Sequence, residues 1–179
     1  MNNHADAVPA APAQDLLPPE GLTWGVKRSF VRYLTSLPDG AVAAIEGASV
    51  LESGFFNFVP DGGSFDPATG TGTLRFRGDV RLEGHFGMMF VQIANPWIEF
   101  VPGGGSLTVA FGEPADNAAE RIPLVTFEAA APQAIGESLV WQGLETRLTR
   151  DGSDVFNHQY STGQVMDPLS IRVPAPRAG

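Results

Sequence analysis

The sequence contains no cysteine among its 179 residues. Disulfides, zinc–thiolate sites, iron–sulfur clusters and thiol nucleophiles are therefore excluded. Basic residues are also scarce: 11 Lys and Arg residues oppose 20 Asp and Glu residues, which gives a net charge of -9. This balance disfavours a nucleic-acid-binding protein, which needs a basic face to replace phosphate counterions. Adhesion to an anionic membrane surface is disfavoured for the same reason.

Long hydrophobic runs are missing as well. No stretch approaches the roughly 20 apolar residues that a membrane-spanning helix needs. The N-terminus also lacks the basic and apolar regions of a signal peptide. We therefore expect either a cytoplasmic protein or the mature part of an exported one, and the absence of cysteine is compatible with both.

Glycine and proline, in contrast, are abundant, with 21 and 15 copies in a chain that is 43% hydrophobic. This composition predicts many turns between short elements and hence a mainly β fold with a real core. Residues 1–20 are rich in alanine and proline and are expected to form a flexible lead-in. Residues 174–179 have the same character and are expected to form a tail. One folded domain over 21–173 remains.

One segment has helical periodicity, and it spans residues 24–37. Thr23 is the expected N-cap, and Pro38-Asp39-Gly40 is expected to end the helix. Ser29 and Tyr33 are four residues apart and therefore share one face. The apolar stripe consists of Phe30, Leu34 and Leu37.

After residue 40 the hydrophobic period changes to two, which predicts strands. Residues 73–83 alternate between apolar and polar side chains and predict one half-buried strand. The glycines around His85, in Gly84-His85-Phe86-Gly87, predict a bulge or a close backbone approach. DGG at 61–63 and GGG at 103–105 predict turns. Further strands are expected at 97–101, 107–111, 122–127, 138–149 and 169–173, which makes an antiparallel β sandwich or barrel-like sheet pair with one N-terminal α-helix.

Side-chain chemistry alone identifies no function. Ser29, His85 and Asp79 supply the residue types of a serine hydrolase, but no G-x-S-x-G motif is present. Glu83 and His85 are two apart and form half a zinc site at best. Taken singly, His85 reads as a hydrogen-bonded structural histidine, and Tyr33 as an amphipathic helix residue.

Sequence blocks in a fixed order give a more specific indication. Residues 22–33, LTWGVKRSFVRY, resemble the opening motif L-x-W-G-V-K-x-S-F-R-x-Y of HtaA-type domains, which belong to the haem-uptake systems of actinobacterial cell envelopes. FRGDV at 76–80 with GHFG at 84–87 resembles the block F-x-G-x-V…G-H-x-G. NPW at 95–97 follows it in order. FNHQY at 156–160, Gly163 and DPL at 167–169 resemble the closing block, so the likeness covers most of 22–173.

The resemblance implies a domain that binds ferric haem b. Tyr33 corresponds to the axial iron ligand, and His85 to the residue that hydrogen-bonds its phenolate oxygen. Ser29 is expected to line the pocket and reach a propionate, together with an arginine that the sequence does not single out. Phe156 is expected to pack on the porphyrin. The implied function is haem capture and relay without chemical turnover, so we expect no enzyme.

The resemblance also bears on partners and location. Other haem-uptake proteins are the expected donor and acceptor, and haem bridging two copies would give a homodimer. An extracellular or cell-envelope location is favoured, with the cytoplasm left open. Two alternatives remain: a non-haem adhesion or carbohydrate-binding β module, and a weak haem peroxidase. The peroxidase would need an open distal position with acid–base groups, for which the sequence has no dedicated motif.

Overall fold

The protein is described by a computed structural model over residues 17–111, 120–128 and 130–176. Residues 1–16 of the predicted lead-in and 177–179 of the predicted tail therefore lie outside the described residues, and residue 174 belongs to the last strand. The elements in chain order are β1 (Gly21–Trp24), α1 (Arg28–Ser36), β2 (Ala41–Ile45), β3 (Ala48–Val50), β4 (Phe56–Asp66), β5 (Thr71–Arg77), β6 (Asp79–Gly84), a 3-10 turn (His85–Gly87), β7 (Met89–Ala94), β8 (Trp97–Val101), β9 (Gly104–Phe111), β10 (Glu120–Glu128), β11 (Gln133–Ile135), β12 (Ser138–Leu148), α2 (Arg150–Val155) and β13 (Val165–Pro174).

The main sheet closes on itself. Its strand order is β1-β13-β12-β10-β9-β8-β5-β4-β3, and β1 pairs with β4 as well as with β13. Leu22 illustrates the closure, because it stands opposite Ile171 on one side and Phe58 on the other. All these pairings are antiparallel. The predicted barrel-like β fold is therefore confirmed, and closure satisfies the backbone groups of strands that would otherwise lie at open edges.

A second, smaller sheet has the order β2-β6-β7 and lies beside α1. Its inward residues Val80, Leu82 and Ile93 belong to the same buried cluster as the barrel core. The largest fully buried side chains of that cluster include Trp24, Trp141, Phe56, Phe58, Phe76 and Phe156. Burial of this apolar surface is the main force that holds the two sheets and the helix together.

The strand predicted over 73–83 is two strands in different sheets. β5 belongs to the barrel and β6 to the small sheet, and Gly78 lies between them with φ of 151°. The Gly78 N–H donates to Asn95 Oδ1 at 3.2 Å, and the Asn95 N–H donates to the Gly78 carbonyl at 2.8 Å. The apolar alternation continues through the crossing because both halves face the shared core. Period alone therefore could not reveal the change of sheet.

Two further expectations were wrong in detail. Trp24 lies in β1, and the helix begins at Arg28, whose N–H donates to the Asp167 carboxylate at 3.0 Å. Thr23 is therefore not the N-cap; its hydroxyl accepts a hydrogen bond from Asn57. The segment 61–63 is not a turn but lies inside β4, where a register shift against β5 marks a bulge.

The short helix α2 was not predicted from the sequence. Thr149 caps it, because its hydroxyl accepts the Gly152 N–H at 2.8 Å. A Cβ at Gly152 would lie 2.3 Å from the Leu124 carbonyl oxygen, so the helix packs closely on β10. The strands predicted at 97–101, 107–111, 122–127, 138–149 and 169–173 correspond to β8, β9, β10, β12 and β13 to within a few residues, whereas β1 to β4 and β11 were not predicted.

Gly78→Ala is expected to lower the free energy of unfolding by about 2–4 kcal/mol. A Cβ there would lie 2.6 Å from the Ala48 backbone nitrogen, in addition to the strain of the positive φ. Gly103→Ala is the matched control, because its φ is +90° but a Cβ would meet no described atom within 4 Å. Urea unfolding measures both. Equal losses in the two variants would contradict the close contact at the sheet crossing.

Candidate functional site

The structure brings Tyr33 and His85 together from distant parts of the sequence. Tyr33 lies in the last turns of α1, and His85 opens the 3-10 turn after β6. The Tyr33 hydroxyl and His85 Nε2 are 2.8 Å apart, which is hydrogen-bond distance. Both side chains are exposed, so a ligand can reach the phenol oxygen while the histidine is still bonded to it.

The closeness of α1 to β6 depends on Gly84. A Cβ on this residue would lie 2.9 Å from Leu37 Cδ1 and 3.0 Å from Leu34 Cδ2. Leu34 is fully buried, so it has little freedom to move aside. The glycine before the histidine therefore lets the helix rest on the end of β6. That packing places Tyr33 at hydrogen-bond distance from His85.

The turn that carries His85 has an uncommon backbone. His85 and Phe86 have φ of 51° and 56°, in the left-handed region that costs a non-glycine residue about 1–2 kcal/mol. The Asp39 carboxylate accepts the Phe86 N–H. Asp39 lies in the connection between α1 and β2, so the same helix that carries Tyr33 also holds the turn through its following loop.

Exposed apolar side chains lie in the same short connection as His85. Phe86 and Met88 are 93% and 80% exposed, and Tyr33 is about half exposed. Such grouped apolar exposure is unusual on a soluble surface and indicates a binding site. One cavity, of about 320 Å³ beside Phe65 and Val173, is lined by other segments.

Ser29 lies one turn before Tyr33. Its side chain forms a hydrogen bond with Tyr160, a residue for which the sequence predicted no role. Burial raises the pKa of Tyr160, and the hydrogen bond from Ser29 acts in the opposite direction. The Lys27 ammonium lies 5.4 Å from the centroid of the Tyr160 ring. Tyr160 is the last residue of the FNHQY block at 156–160. Its place in this closing motif is the signal by which the sequence could have identified it as a site residue.

Phe156 lies behind this group and not on the surface. Its ring is fully buried, 5.7 Å from the Phe30 ring and 6.0 Å from the Tyr160 ring, both edge-on. The structure therefore brings Tyr33 to His85, and Ser29 to Tyr160. Phe156 packs against the buried side of α1 through its contact with Phe30.

The described residues give little support to a site for a metal ion such as zinc. Within residues 17–111, 120–128 and 130–176, no group of three or more histidine and acidic residues is placed to hold a metal ion. His85 thus has no such group to complete the half zinc site suggested by Glu83. Among the same residues, no helix combines the length and the apolar character needed to cross a membrane.

The sequence matches a known protein family. A model of the HtaA family matches residues 20–172. The chain belongs to the HtaA family. Its match covers β1, the turn with His85 and most of β13. A search of curated proteins found no match.

Solved structures of HtaA-family proteins share the fold. The C-terminal domain of HtaA from Corynebacterium glutamicum is 26% identical with a TM-score of 0.72, covering 86% of this chain and 94% of that one. The N-terminal domain of the same protein is 24% identical with a TM-score of 0.69, covering 87% and 96%. The haem-binding protein HtaB from the same organism is 18% identical with a TM-score of 0.62, covering 86% and 91%.

Ser29→Ala is expected to raise the pKa of Tyr160 further, because it removes the hydrogen bond that opposes the effect of burial. The chain has only 2 tyrosines, so a Tyr33→Phe background isolates Tyr160 in an ultraviolet absorbance titration. Ser53→Ala, on an exposed turn, is the control. An unchanged titration midpoint in Ser29→Ala would contradict the contact.

Proposed function

We propose that this HtaA-family protein binds ferric haem b through the Tyr33 oxygen, for haem capture and relay. The observation that carries the proposal is the exposed Tyr33–His85 pair at 2.8 Å, with His85 in the same short connection as the exposed Phe86 and Met88. The Tyr33 oxygen would hold a ferric centre at such a site. The relative HtaB, a haem-binding protein, supports the same ligand.

The chemistry of the pair suits a hard ferric centre. Phenolate is an established haem ligand, but free phenols lose their proton only near pH 10, roughly. Bound iron favours the ionised form, and a hydrogen-bonding neighbour stabilises it further. His85 Nε2 is placed to take up the phenol proton and to return a charge-assisted hydrogen bond to the phenolate.

The remaining site residues receive roles in the same proposal. Ser29 reaches a haem propionate, with Lys27 as the neighbouring cation over the Tyr160 ring. Phe156 packs on the porphyrin only if the segment 156–160 shifts when haem binds, because its ring is buried beneath Phe30 and Tyr160. Tyr33 would be the single protein ligand that we assign to the iron.

Binding through a single tyrosine would suit exchange of haem more than catalytic turnover. We propose that the protein works in haem uptake at the cell envelope, receives haem from one uptake protein and passes it to another, and catalyses no reaction. One haem held by Tyr33 residues of two copies would give a homodimer. A domain-swapped dimer is known for a variant of the C-terminal HtaA domain.

Tyr33→Phe is expected to abolish most ferric haem binding, because it removes only the ligand oxygen. His85→Ala should weaken binding about 10–100-fold, the usual effect of losing a hydrogen bond to a metal ligand. An absorbance titration that follows the Soret band measures both. Val101→Ser, at an exposed position at the end of β8, is the control and should retain binding.

Three results would contradict the proposal in different ways. Unaltered affinity in Tyr33→Phe would remove Tyr33 as the ligand. Absence of any Soret change in the native protein would favour the adhesion or carbohydrate-binding module. Peroxidase turnover well above that of free haem would favour the haem enzyme.

A further inference from the structure

The connection between β6 and β7 forms a projecting apolar tip. Gly84 and Met89 stand opposite each other in the β6–β7 register, and both are buried. The four residues between them, 85–88, are all exposed. Phe86 is 93% exposed and Met88 is 80% exposed, more than the other large apolar side chains that the structure describes.

The tip is a built structure and not a loose loop. Its backbone turns through two left-handed residues, His85 and Phe86, although neither is glycine. The Asp39 carboxylate accepts the Phe86 N–H, and the Met88 N–H donates to the His85 carbonyl at 3.1 Å. Strain that is held by specific bonds is characteristic of functional sites. Here it keeps a phenylalanine in water.

We infer that Phe86 and Met88 form a wall of the haem site and contact the porphyrin face or edge beside Tyr33. The inference rests on the proposed function and adds the contacts that recognise the ring. His85 fixes the position of this wall, because it is bonded to Tyr33 and is the immediate neighbour of Phe86. A ligand on the Tyr33 oxygen therefore lies within reach of the tip.

A porphyrin is the occupant that this geometry favours. The tip presents two large apolar side chains without a charged partner between them, which suits a flat apolar ring. Methionine adds a flexible, polarisable side chain that adapts to an aromatic face. The motif G-H-x-G leaves the third position open, and this chain fills it with Phe86. Asp39 acts through the turn and is a positioning residue.

The test uses a Phe86→Ser, Met88→Ser double variant of the full chain. Both side chains are exposed, so the variant should fold with an unchanged circular dichroism spectrum. Its haem dissociation constant should rise at least about tenfold, because burial of two large apolar side chains is lost. Val101→Ser is the matched control, since Val101 is also exposed, at 56%, but lies at the end of β8.

A direct readout of contact is available from Met88. Gallium(III) protoporphyrin is diamagnetic, and its ring current should shift the Met88 methyl resonance in a proton–carbon NMR spectrum, upfield for contact with the ring face and downfield for contact with the ring edge. The chain has only 4 methionines, so Met88→Leu assigns the signal. Asp39→Ala should reduce the shift and weaken binding, and Asp39→Asn, which keeps an acceptor oxygen, should restore both.

The outcomes separate this inference from the function on which it rests. Tyr33-dependent haem binding with an unshifted Met88 methyl and unchanged affinity in the double variant would overturn the inference alone. Full haem affinity with lost self-association in the double variant would also overturn it and assign the tip to a dimer contact. No haem binding by the native protein would overturn both proposals.

Discussion

The packing of α1 against the end of β6 is the constraint on which the site depends. Gly84 leaves no side chain between the helix and the strand, and Leu34 and Leu37 occupy the space instead. Leu34 belongs to the common core, so the helix position is fixed by the same burial that stabilises the barrel. The hydrogen bond between Tyr33 and His85 follows from this placement, since Tyr33 lies on the packed helix and His85 directly follows Gly84.

The core and the site make opposite demands on the chain. The barrel buries most of its large aromatic side chains, including Trp24, Phe76 and Trp141. At the end of the small sheet, Phe86 and Met88 remain in water and the backbone adopts left-handed conformations. These features lower stability and persist because Asp39 holds the turn. A ligand that covers the two side chains would recover the lost apolar burial, which is why exposure and strain together indicate function.

Periodicity and turn residues predicted much of the fold, but they could not predict the contacts between residues that are far apart in the sequence. The apolar residues of the alternating segment 73–83 are buried as predicted. The alternation could not show, however, that the chain passes from one sheet to the other at Gly78. The N-cap was sought in Thr23, whereas the helix receives its acceptor from Asp167, 139 residues away from Arg28. Tyr33 and His85 became a pair only through the family resemblance, because a separation of 52 residues carries no local signal. Tyr160 was missed because its contacts with Ser29 and Lys27 are tertiary.

The central claim is that the Tyr33 oxygen ligates the iron, and the small number of tyrosines allows a direct measurement. In Tyr160→Phe protein, Tyr33 is the single tyrosine left of the 2 in the chain. Resonance Raman spectra of this variant, loaded with ferric haem and excited in the phenolate-to-iron charge-transfer band, should contain phenolate vibrations that shift when ring-labelled tyrosine is incorporated. Bound haem without label-sensitive vibrations would contradict ligation by Tyr33.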